Sequence, residues 1–218
     1  MTCPKWAALV RGTIRPAIRA LLVGAPVALL GGTTTALAAA APAWRDTPVA
    51  RLEALALIQT INGAILASTS ATLTLERWCR DHGLAEPALV TAHQTANGTA
   101  TPTAALRRDL QIGAHEAVRY RRVQLSCGAH VLSIADNWYV PDRLTSDMNR
   151  QLDSTLTPFG KVVRPLMPYR QTVGVRMLSS PLRADWAQAQ PRAGSPVPAA
   201  QPLALPAALF EHRAIRSE

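Results

Sequence analysis

Across residues 49–67 the apolar positions Leu52, Leu55, Ala56, Ile58, Ile61, Ile65 and Leu66 recur at three- and four-residue spacing, with Glu53 and Gln59 on the other side. That period predicts an amphipathic helix. Ser68-Thr69-Ser70 then supplies cap hydroxyls, and Gly83 stands where a left-handed residue ends a helix, so a second helix completes a helical hairpin. After Pro87 the pattern breaks into short runs interrupted by Asn97-Gly98 and Pro102. Residues 116–126 read as a strand, with Val118, Tyr120, Val123 and Leu125 among arginines. Cys127-Gly128-Ala129-His130 is a turn, and 131–140 returns as a partner strand stopped by Pro141. Asp142 and Thr145 offer caps for a helix through Met148, Arg150 and Leu152; Thr157-Pro158 places a cap and an N1 proline before another helix at 159–166. Strands at 171–178 and 209–215 flank a Pro/Ala-rich loop at 181–206. This order predicts an α+β fold, an antiparallel sheet with helices packed on one side.

The N-terminus is patterned differently. Lys5, Arg11, Arg15 and Arg19 precede the first acidic residue, Asp46, and residues 20–41 carry no charge. A cationic segment, an apolar stretch and the A-x-A-like Ala36-Leu37-Ala38 read as an export leader. Residues 1–43 are therefore expected to be a signal peptide or N-terminal anchor, and 44–218 a single domain. The location expected is periplasmic or secreted, with a membrane-anchored protein as the alternative and transient membrane contact through the leader. Removing four of the 23 basic residues and none of the 14 acidic ones lowers the net charge from +9 to +5. The remaining cations are dispersed and thinly interleaved with aromatics, which argues against nucleic acid as a partner. Cys79 and Cys127 stay in the mature chain, either as a bridge or as two buried thiols.

Candidate chemistry is sparse. His82, His93, His115, His130 and His212 are scattered, without metal-ligand spacing, and neither a nucleophile elbow nor a Gly-rich phosphate loop is present, so a metal site, a serine hydrolase and a nucleotide binder are not expected. Arg122 lies on the strand of the hairpin expected to be central; its guanidinium calls for either a ligand carboxylate or an internal salt bridge. Asn137-Trp138-Tyr139 adds an amide and two amphipathic aromatics, which suit a pocket or an ordinary strand. The backbone N–H groups at Phe159 and Gly160 open a helix and suit either a small anion or a plain cap.

Arg122, the turn at Gly128, the strand ending in Val140-Pro141, and Thr157-Pro158-Phe159-Gly160 together resemble the chorismate lyase family. The run from Arg121-Arg122-Val123 to Asn137-Trp138-Tyr139, then Arg143-Leu144-Thr145 and Met148-Asn149, is similar to a bacterial branch of that family. The likeness spans roughly 55–178 and is strongest over 116–166. It implies elimination of pyruvate from chorismate to leave 4-hydroxybenzoate, without a cofactor. By the same resemblance Arg122 would hold the ring carboxylate, Phe159 and Gly160 would meet it through backbone N–H groups, and Ala71 would lie in the cover over the ligand. Asn137 replaces a family arginine. The family's acid lies on a strand following one like 209–215, whereas this sequence stops at Glu218; a C-terminal truncation with an open sheet edge is expected, and Glu211 is the substitute candidate for the acid. Two functions follow: a lyase, or an exported, non-catalytic module for a small aromatic carboxylate. A third reading has the open edge accept a strand from a partner. Oligomeric state is not legible.

Overall fold

The computed structural model describes residues 7–14, 44–98, 101–187 and 201–217. In chain order these form β1 (Ala7–Ile14), α1 (Pro48–Leu66), α2 (Ala71–Asp81), β2 (Val90–Gly98), α3 (Ala104–Asp109), β3 (Arg119–Cys127), β4 (His130–Tyr139), α4 (Ser146–Ser154), α5 (Phe159–Val162), β5 (Tyr169–Met177) and β6 (Phe210–Ser217). The strands make one antiparallel sheet ordered β2-β3-β4-β1-β6-β5. The fold is α+β.

The helical hairpin forms as its spacing demands. Thr47 accepts a bond from the Ala50 N–H at 3.1 Å, Pro48 opens α1, and Ala54, Ile58, Ile61 and Ile65 turn one stripe into the core. Burying an isoleucine such as Ile58 contributes about 2–3 kcal/mol. By length and composition α1 is apolar enough to cross a membrane, and one stripe of it, Ile58, Ile61 and Ile65, packs into the core. Ser70 caps α2, whose Leu75 and Cys79 face the sheet, and Gly83 at φ +57° ends it. Opposite them lie Val90 and Ala92 of β2, Val123 and Leu125 of β3, Ala135 of β4 and Phe210 of β6. A second cluster joins Tyr139 to Met148 and Leu152 of α4 and Phe159 and Val162 of α5. The short α3 covers the other face, with Leu106 and Leu110 against Trp138 and Ile215. Helices thus occupy both faces unequally.

Two expectations about local structure change. The short runs after Pro87 are a full strand, β2, and a short helix, α3, capped by Thr103. Their apolar positions are mostly small, so the periodicity is faint. Pro158 is the N-cap residue of α5 rather than its first helical residue, and the chain passes from α5 into a 3₁₀ turn at Arg164–Leu166. The turn between β3 and β4 holds Gly128 at φ +52°, where a Cβ would stand 2.7 Å from the Ala85 Cβ, so only glycine fits.

The largest correction concerns the N-terminus. A leader lying wholly outside the fold was expected over 1–43, but Ala7–Ile14 is a central strand, antiparallel to both β4 and β6. Its Leu9-Val10 and Thr13-Ile14 pairs suit a strand with neighbours on both sides. Residues 15–43, with the apolar stretch and the cleavage-like site, lie outside the described residues, as does 188–200 of the proline-rich loop. For the same reason β6 is not an edge: β1 and β5 flank it, and the sheet ends at β2 and β5. Cys79 and Cys127 form a disulfide with Cα atoms 6.5 Å apart, tying α2 to the end of β3 across a separation of 48 residues.

Replacing both Cys79 and Cys127 by serine is expected to lower stability by about 4 kcal/mol, from loop-closure entropy, measured by urea unfolding beside the untreated and reduced wild type. Deleting residues 1–14 strips both β4 and β6 of a partner; circular dichroism melting of the shortened chain should lose its single cooperative transition. An unchanged melt would show that β1 contributes nothing to the sheet.

Candidate functional site

A cavity of about 60 Å³ lies between the inner face of the sheet and the helical cover. At one water per roughly 10–15 Å³, it has room for about four to six water-sized groups. Its walls combine Leu75 and Ile65 from the helices, Val123 and Leu125 from β3, and Ala214 from β6 with a limited set of polar groups. Those groups are Thr72 of α2, Ser133 and Asn137 of β4, Arg170 of β5, and His212 and Arg216 of β6. Phe159 and Gly160 close one end.

Strand alternation decides which arginine of β3 lies on the inner face of the sheet. Val123 and Leu125 face the cavity, so Arg121, two residues earlier on β3, shares their side. Arg121 is 2% exposed, and its Nε and Nη1 are buried without a hydrogen-bond partner. Burial pushes its guanidinium below the usual range, only partly countered by Tyr139 and Asp153. Directly across the ladder stands Asn137, also 2% exposed, with an unpartnered Nδ2. Two paired residues therefore present buried donors with no acceptor.

Arg122 points the other way, a correction to the assignment made from resemblance. Its side chain is 49% exposed and pairs with Asp136 at 3.3 Å, while the Tyr120 hydroxyl donates to the same carboxylate at 2.7 Å. The internal salt bridge is the partner it has. Glu211 fails by the same rule: His212, Ala214 and Arg216 line the cavity, so Glu211 faces away and pairs with Arg176 at 3.3 Å. Phe159, Gly160, Asn137 and Ala71 do line the cavity.

The second cationic group went unrecognised in the sequence. Arg170 and Arg216 are direct cross-strand neighbours on β5 and β6. Like charges in that position repel. Arg170 donates to Thr172 Oγ1 at 2.7 Å and to the Ile65 carbonyl at 3.3 Å. Arg216 is 4% exposed, and burial, then Arg170, push it down to about 10; among the described residues its guanidinium has no hydrogen-bond or ion-pair partner. A Cβ placed on Gly160 would lie 3.2 Å from Arg216 Nη2 and 3.0 Å from Thr72 Oγ1, so glycine lets the guanidinium approach the start of α5. The signal was available, since the series Phe210, His212, Ala214, Arg216 alternates inward along one strand.

His212 completes the polar set. Its Nε2 donates to Asn62 Oδ1 at 2.7 Å, and the Asn62 amide is oriented by donating to Gln59 Oε1 at 3.2 Å. Burial, and after it Arg170, push His212 down to about 4. Among the described residues the cavity lining holds no carboxylate, and no three His, Cys, Asp or Glu side chains are grouped to hold a metal.

The depressed His212 titration has a measurable sign. From its ordinary 6.5 down to about 4 the unfolded chain takes up a proton that folded His212 refuses, so stability is full above that window and falls as pH is lowered through it. Denaturant unfolding at several pH values between 7 and 4 should show a shallower decline for His212→Leu than for wild type. Identical slopes would mean that His212 titrates normally.

No family model matches the chain. It is 43% identical over 173 residues to the uncharacterized protein y4mC of Sinorhizobium fredii, covering 79% of this chain and 72% of that protein. At that identity and coverage, the chain belongs to the same protein family as y4mC.

Proposed function

We propose that this protein is a binding module for a small aromatic carboxylate, the non-catalytic form of the chorismate lyase-like reading. The observation that carries it is the set of buried, unpartnered donors of Arg121 and Asn137 on the inner face of the sheet. A buried guanidinium without a counter-ion is costly, and a carboxylate accepting parallel N–H bonds removes that cost. The apolar walls formed by Val123, Leu125 and Leu75 suit an aromatic ring, and the small volume suits a ligand of one ring. Arg216, close to Gly160, supports a net anionic occupant.

Binding is favoured over turnover because eliminating pyruvate from chorismate calls for a proton donor at the departing oxygen. Glu211 is turned to the other face, and His212, held neutral above about pH 4, is a poor acid near neutrality. An exported location belongs to the same proposal. It is supported by the cationic and then uncharged N-terminal pattern and by the Cys79–Cys127 bridge, which suits an oxidising compartment. The pairing of Ala7–Ile14 with both β4 and β6 supports an exported protein that retains this segment.

Calorimetric titration of the full chain with 4-hydroxybenzoate is expected to show saturable binding. Arg121→Met and Arg216→Met should each weaken it about tenfold or more. The ligand-free Arg121→Met protein should melt no lower than wild type, because the change removes buried donors that have no hydrogen-bond partner. Incubation with chorismate should release no 4-hydroxybenzoate. Turnover would overturn the binding-only reading, and absence of any binding would overturn the carboxylate site.

A further inference from the structure

The unsatisfied atoms on the inner face of the sheet are of unequal kinds. Arg121 Nε and Nη1 and Asn137 Nδ2 are all donors seeking an acceptor. His212 is the exception. It is 5% exposed and lines the cavity, its Nε2–H is committed to Asn62 on α1, and its Nδ1 is buried without a partner. A neutral imidazole with hydrogen on Nε2 has one lone pair left, on Nδ1, so this atom can only accept. Protonating it instead would add a cation to a site that already holds Arg170 and Arg216 side by side. The Asn62–Gln59 contact fixes the amide that fixes the ring, so the acceptor is pre-set before any ligand arrives.

The same strand sets the order of the groups. His212, Ala214 and Arg216 follow one another on the inner face of β6, with about 13 Å between the outer Cα atoms at the strand's rise per residue. An acceptor, a small apolar floor and a cation are thereby laid out in a row. A ligand that matches this row carries its acid at one end and a donor at the other.

Building on the carboxylate reading, we propose that His212 Nδ1 accepts a hydrogen bond from a hydroxyl or amino group of the ligand, so that the cavity selects hydroxy- or amino-substituted aromatic acids over unsubstituted ones. A buried acceptor left empty carries a desolvation cost that only a donor-bearing ligand relieves.

The test titrates the full chain with benzoate and with its 3- and 4-hydroxy and 3- and 4-amino derivatives, against wild type, His212→Leu and His212→Gln. In wild type at least one substituted acid should bind about fivefold or more tightly than benzoate. That preference should vanish in the leucine variant and partly return in the glutamine variant, which keeps an acceptor. If the variants do not fold, ¹⁵N spectra of wild type decide: the His212 Nδ1 resonance should move with the preferred acid and stay in place with benzoate. Benzoate binding as well as every derivative, or an unmoved resonance, overturns the role of His212 while leaving the carboxylate site intact. If no acid binds, benzoate included, the carboxylate reading falls as well.

Discussion

The sheet is held together by a strand that no local pattern marks as structural. β1 runs between β4 and β6 and supplies the hydrogen-bonded ladder to both. On one side lie β2, β3 and β4; on the other, β6 and β5. The cavity straddles that division, because Val123, Leu125 and Asn137 belong to the first group of strands and Arg170, His212 and Arg216 to the second. The relative position of the two donor groups, and so the shape of anything held between them, depends on β1 staying paired.

Burial gives this arrangement its chemical character. The inner face of the sheet is mostly apolar and covered by α1, α2, α4 and α5, so any charge on it loses its water. Charges on the outer face are answered locally, as Arg122 is by Asp136 and Glu211 by Arg176. Those on the inner face are not answered by carboxylates: Arg121 is left with unpartnered donors, and Arg216 stands opposite another arginine. A protein core with no use for an anion would gain stability from apolar residues at these positions. Donors kept buried at that cost are the physical basis for the proposed anion site, and in that proposal the neutral His212 gives the site a direction.

Much of the fold was legible because periodicity reports burial directly. The stripe Ile58, Ile61, Ile65 can be satisfied only by a helix lying on a core, and the caps Ser70 and Thr145 mark where helices begin. The hairpin of β3 and β4 was equally plain from alternation on both sides of a glycine turn. Of the expected site residues, Asn137, Phe159 and Gly160 line one cavity, while Arg122 and Glu211 each lie one residue out of phase with the face that bounds it. A one-residue error on a strand inverts the side chain completely. Adjacent arginines at 121 and 122 gave composition nothing to choose between, although the inward series Val123, Leu125, Cys127 would have chosen Arg121.

By itself, then, the sequence determined the helical hairpin, the helix α4, the β3–β4 hairpin, the α+β class and the kind of chemistry available, since these follow from local spacing and residue type. Tertiary structure alone decided that Ala7–Ile14 is a central strand, that Cys79 meets Cys127, and that Arg170 stands beside Arg216. Each of these joins residues tens to hundreds of positions apart. Such pairings arise from which strand lies next to which, and no local period along the chain encodes that.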